Sequence, residues 1–145
     1  MILDERTEFC DATSLNTGAA GSYIIGDVID LGLAGRDIGN GEPLEFVVQV
    51  DTTATSGGSA TGLFSLVTDD NSSLSSPTVI VSSPAIAVAT LVAGYTALRV
   101  KIPAGTYERY IGVQQTTGTA AFTAGKVNAF LTPAVANTKA YADSI

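Results

Sequence analysis

Asp69 and Asp70, in the segment Thr68-Asp69-Asp70-Asn71-Ser72-Ser73, are the nearest thing in this sequence to a chemical centre. Two adjacent carboxylates could serve as part of an acid–base pair for glycoside hydrolysis. With the neighbouring Asn and Ser oxygens they could instead ligate calcium. The same composition is what an ordinary turn between strands is made of, because Asp, Asn and Ser side chains accept hydrogen bonds from their own backbone. The rest of the inventory is thin. There is no histidine, which removes the Ser-His-Asp and Cys-His arrangements and the commonest metal ligand. One cysteine, Cys10, excludes an intrachain disulfide or a thiolate zinc site and reads as a small buried hydrophobe. No phosphate-cradling Gly-Lys-Ser/Thr sequence and no Gly-x-Gly-x-x-Gly after a strand is found. The expectation is a chain with no catalytic residues, no metal and no cofactor.

The charge balance narrows the partners. Fourteen acids against seven bases give a net charge of −7, and the bases are scattered, with nothing denser than Arg99 and Lys101. Binding nucleic acid requires clustered cations that displace counterions from phosphates, so no nucleic-acid partner is expected. Charged residues make up 14% of the chain, against roughly 25% in an ordinary soluble domain. So sparse a charge implies that part of the surface is covered by other subunits. The start, Met1-Ile2-Leu3-Asp4-Glu5, is acidic and lacks the long apolar core of a secretory signal. The most apolar stretch, residues 85–93, is far short of the roughly twenty residues of a membrane span. No membrane association is expected.

The elements that would position these residues are strands. β-Branched residues punctuated by Gly, Asn, Asp and Pro predict strands over residues 23–31, 44–51, 62–68, 78–82, 98–102, 110–115 and 126–132, with another over 86–92. Leu98-Arg99-Val100-Lys101-Ile102 alternates strictly, which buries the aliphatics and exposes the two cations. Asn40-Gly41, Ser56-Gly57-Gly58-Ser59 and Thr117-Gly118-Thr119 read as turns. About eight strands predict an all-β, jelly-roll-like antiparallel β-sandwich over residues 22–132. An extended N-terminal arm (residues 1–21) and a C-terminal tail (133–145) complete the expected organisation. The runs at 44–50 and 62–67 are almost continuously apolar, so both faces of those strands should be covered, by a loop, a terminus or another subunit.

Read in order, several segments resemble the capsid cement (decoration) proteins of short-tailed and related bacteriophages. They are Met1-Ile2-Leu3-Asp4, Arg36-Asp37-Ile38-Gly39-Asn40-Gly41-Glu42-Pro43-Leu44, Val48-Gln49-Val50-Asp51, residues 62–70 followed by Ser76-Pro77, Leu91-Val92-Ala93-Gly94-Tyr95 and residues 122–131. The resemblance spans residues 1–132 and implies a jelly-roll-like fold on the outer face of a virion capsid. The partners it implies are the major capsid protein, whose capsomers are bridged, and further copies of the chain itself, as a homodimer or higher cluster. Synthesis in the host cytoplasm and a purely structural role go with it. Candidate contact residues are Ile2, Leu3, Arg36, Asp37, Asn40, Arg99 and Lys101. The 56–60 loop and the C-terminal tail are further candidate contact elements. The alternative on the same fold is a carbohydrate-binding or host-adhesion module. The absence of tryptophan, with only five Tyr and five Phe, leaves few rings for sugar stacking.

Overall fold

The computed structural model describes residues 3–33, 38, 41, 43–105 and 107–133. After a short 3-10 turn at Glu5–Thr7, nine strands follow: β1 Glu8–Ser14, β2 Gly21–Asp30, β3 Leu44–Ser56, β4 Thr61–Asp69, β5 Thr78–Ser82, β6 Ile86–Ala87, β7 Thr96–Lys101, β8 Tyr110–Gly118 and β9 Phe122–Pro133. They form two antiparallel sheets, with order β1-β9-β3-β7 in the first and β2-β8-β4-β5 in the second, where the two-residue β6 also pairs with β4. Apart from β4, β5 and β6, which stay in the second sheet, successive strands cross between the sheets in the double Greek-key order of a jelly roll, so the expected all-β sandwich is what forms. Among the described residues no helix is long and apolar enough to cross a membrane.

The core lies between the sheets. Phe46, Val48 and Val50 of β3 and Val127, Ala129 and Leu131 of β9 face Phe64 and Leu66 of β4 and Ile111 and Val113 of β8. Phe9 closes one side, edge-on to Phe46 with ring centroids 6.0 Å apart. Gln115 also points inward and is wholly buried. Its amide imitates a strand, accepting from the Asn16 N–H at 2.9 Å and donating to the Asn16 carbonyl at 3.1 Å, so no polar group is stranded there.

Two expectations change. The first concerns residues 1–21, read as an arm outside the sandwich. Glu8–Ser14 is instead an edge strand paired with β9, and Phe9 and Cys10 are each 1% exposed. Alternation fails here because the strand is bulged. Register shifts on either side of Cys10, and Ala12 adopts a positive φ of 44°. The Asn128 Oδ1 accepts from the Ala12 N–H at 2.6 Å and holds the bulge. The second concerns the strand expected over 86–92, which is reduced to β6 because residues after Ala87 turn. The C-terminal tail beyond Pro133 lies outside the described residues.

Candidate interface

The doubly covered strands show how this chain treats its outer faces. Val47 of β3 and Phe130 of β9 point away from the core yet are fully buried, and Leu3 packs against them from the N-terminal segment. On the second sheet, Leu74 from the β4–β5 loop lies over Gly112, where a Cβ would collide with its side chain. Gly112 is the register partner of Val67, and both Val67 and Leu74 are buried. A terminus and a loop of the same chain thus cover both runs, and the double burial needs no second subunit.

Asp69 holds that loop in place. Its Oδ2 accepts from the Ser76 N–H at 2.9 Å and its Oδ1 from the Asn71 N–H at 3.3 Å. Asn71 Oδ1 in turn accepts from the N–H and the hydroxyl of Ser73. The Ser76 amide above all keeps the Asp69 carboxyl below its ordinary range. Of the three readings of this segment, the arrangement matches the turn: both carboxylate oxygens accept backbone hydrogen bonds. Among the described residues no group of three or more His, Cys, Asp or Glu is placed to hold a metal ion. Cys10 is free and buried, and burial pushes its thiol up to about 12, which leaves it a packing residue at neutral pH.

Of the contact residues read from sequence, Ile2, Arg36, Asp37 and Asn40 lie outside the described residues. Leu3 is committed to the Val47–Phe130 cover. Arg99 is half-buried, with its Nε donating to Glu45 Oε2 at 3.0 Å across the β3–β7 pair, so its charge is engaged within the chain. Lys101, two register positions along and opposite Glu45, is exposed. The structure does not gather these residues into one site.

It gathers others. From residue 71 to residue 98 the sequence contains no charged side chain. That run supplies β5 and β6, which together line one edge of the second sheet, and then residues 88–95, which cross to the first sheet. Ser83 bridges β5 and β6: its N–H donates to the Phe64 carbonyl and its hydroxyl accepts from the Phe64 N–H. The crossover is bound to β3 by the Ala54 N–H to the Leu91 carbonyl and by reciprocal bonds between Val50 and the Gly94–Tyr95 turn. Among the described residues four large apolar side chains stand exposed, and Val79 (51%), Val92 (46%) and Tyr95 (36%) all belong to this run. A shallow groove of about 280 Å³ lies between the end of β3 and Val88, Ala89 and Val92. The result is one flank built largely from a charge-free, apolar-studded run, on an acidic protein. The signal was in the sequence as a gap in charge, which a search for positive chemistry passes over.

The fold defines the class: an all-β protein with jelly-roll topology. The chain belongs to the Bbp16 family, whose model matches residues 9–131. That match takes in β1, in keeping with its place in the sandwich. No curated protein matches the chain. Among solved structures, the dimeric latent PorU of Porphyromonas gingivalis is similar with a TM-score of 0.41 and 10% identity over 88% of this chain, which spans 13% of that one. At that level the likeness carries no argument.

Proposed function

We propose that this chain is a structural decoration protein of a tailed-phage head, binding the outer surface of the capsid, bridging capsomers of the major capsid protein and stabilising the mature shell without catalysis. The observation that carries the reading is the uncharged flank. Exposed valine and tyrosine side chains concentrate where charge is missing, as in the apolar centre of a protein–protein interface. The net charge of −7 suits a position outside the shell, away from packaged DNA. A rigid sandwich whose outer strand faces are sealed by its own loop and terminus can present such a flank without reorganising, which lowers the cost of binding. Stabilisation would follow from linkage, since a ligand that prefers the mature lattice over its precursor shifts the balance by its differential affinity.

The test is co-sedimentation with purified mature and precursor shells assembled without this protein. Saturable binding to mature shells at a fixed ratio to the capsid protein is expected, together with DNA release at a higher temperature when the protein is bound. Absence of binding to either shell, or equal release temperatures, would remove the decoration role. Binding to a glycan array in place of shells would favour the adhesion module.

A further inference from the structure

We infer that the outer edge of β5 is an acceptor for strand addition, and that its occupant is an extended segment of the shell protein rather than a second copy of this chain. The inference rests on the decoration reading and names the contact it would use.

An edge strand presents unpaired backbone donors and acceptors, and proteins normally blunt such edges with charge, bulges or cover. The other three edges here are blunted. Strand β1 carries Glu8 and Asp11 and a bulge at Ala12. Strand β2 carries Asp27 and Asp30 and is kinked at Gly26, with φ of 70°. Strand β7 carries Arg99 and Lys101. Strand β5 is Thr-Val-Ile-Val-Ser; a register shift at Ile80 interrupts its pairing with β4, but it carries no charge and ends its sheet with no described strand on its outer side. Ile80 and Val81 pack against the core and fix the strand, whereas Val79 stands 51% exposed.

What bounds the edge also says what can occupy it. Pro77 and Pro84 bracket the strand, and a proline cannot donate to a ladder. The acceptor is therefore five residues long, roughly 17 Å at strand rise. Two such edges paired about a two-fold axis would contribute five residues a side, far fewer than the roughly 20–30 a side of a stable interface. That pairing would also bring together two chains of net charge −7. A separate extended segment needs no more than this length, because its main chain supplies the hydrogen bonds and neighbouring side chains set the choice of sequence. The same prolines keep so apolar an edge from growing into a larger sheet.

Three proteins test this on mature shells assembled without the chain: the unaltered protein, Val79→Lys and Val79→Thr, with urea midpoints confirming that each is folded. Strand addition predicts that Val79→Lys weakens shell binding at least tenfold, while Val79→Thr, which keeps a strand-forming residue and adds no charge, stays within about twofold. On the bound shell, amide exchange across Thr78–Ser82 of the unaltered protein should slow at least tenfold. If Val79→Lys binds as well as the unaltered protein, or the β5 amides are not protected, the edge proposal falls while the decoration role stands. Equal losses from both variants would mean that side-chain packing, not strand addition, makes the contact, and would overturn it too. Concentration-dependent dimers of the unaltered protein, lost in Val79→Lys, would replace the shell segment with a second copy. Failure of the unaltered protein to bind shells removes both readings together.

Discussion

Along the β1–β2 flank the sandwich is shut by close approach and charge; along the β5–β6 flank it is left uncharged, with its apolar side chains outward. On the shut side, Gly26 passes so near β1 that an added Cβ would collide with the Phe9 carbonyl and the Cys10 sulfur. Charges line the surface around it: Glu5, Glu8, Asp27 and Asp30 with Arg6 border an open groove of about 400 Å³. On the other side Ser83 completes the ladder but no charge intervenes for the length of the edge. The two flanks belong to one core and one topology, so their difference is not demanded by folding. It teaches that close backbone approach and charge lie on one side of the sandwich and an uncharged, apolar edge on the other.

The sharpest way to break that comparison is at Gly26. Its φ of 70° already disfavours any side chain, and the space is filled by backbone, which cannot swing aside. We expect Gly26→Ala to cost about 2–4 kcal/mol in urea unfolding at neutral pH, or to prevent folding altogether. A midpoint unchanged from the parent would show that the shut flank is not held by this contact.

The second variant asks whether the outer face of the second sheet is sealed from within. Leu74 is 3% exposed at the tip of the Asp69-stapled loop, and its seat over Gly112 exists only because that position has no Cβ. Leu74→Ala should lower stability by about 2–3 kcal/mol through lost burial and an incompletely collapsed cavity. Shell binding by the folded fraction should be unaltered, because Leu74 is buried over Gly112 on the sheet face and does not line the β5 edge. A loss of binding without a loss of stability would reverse the assignment and place the contact on the sheet face.

Much of this architecture was legible in the residues. Alternation at Leu98 to Ile102 and the apolar runs of β3 and β4 mark strands whatever surrounds them, and β5 was read with the ends it has. Strand β1 was not legible. Phe9 and Cys10 are adjacent and both buried, where the register shifts on either side of Cys10 and the glycine-permitted approach of β2 break simple alternation. Strand β3 runs five residues past its expected end at Asp51, to Ser56, because β9 and the crossover at Leu91 pair with it there. The candidate contacts fared less well. Arg99 looks free on an alternating strand, but the register sets it opposite Val47 with Glu45 within reach, and pairing across strands is invisible to a pattern along one of them. The uncharged flank was missed because it is an absence spread over two strands and a crossover.

The smallest effect expected is at the surface ion pair that ends the shut flank. Arg109 Nε and Nη2 donate to the two Asp30 oxygens at 2.9 Å each, the Gly32 N–H donates to Oδ1 at 2.8 Å, and the guanidinium lies 5.1 Å from the centre of the Tyr110 ring. The Arg109 hydrogen bond, ahead of the Gly32 amide, draws the Asp30 carboxyl down from 3.8 to about 2. Both side chains are more than two-fifths exposed, so solvent screens the pair and its worth at neutral pH is small. Its signature lies in acid. Below pH 4 the unfolded chain takes up a proton at this carboxyl while the folded chain does not, so stability is present above that pH and falls between about pH 4 and pH 2. Asp30→Asn should therefore leave the urea midpoint at pH 7 nearly where it was and make the acid limb shallower. A residual slope should persist from Asp69, whose carboxyl is also held low. Should Asp30→Asn instead lower the midpoint at pH 7 as much as Leu74→Ala does, the charges of the shut flank would be structural supports. The contrast with the uncharged flank would then concern folding and not the availability of an edge.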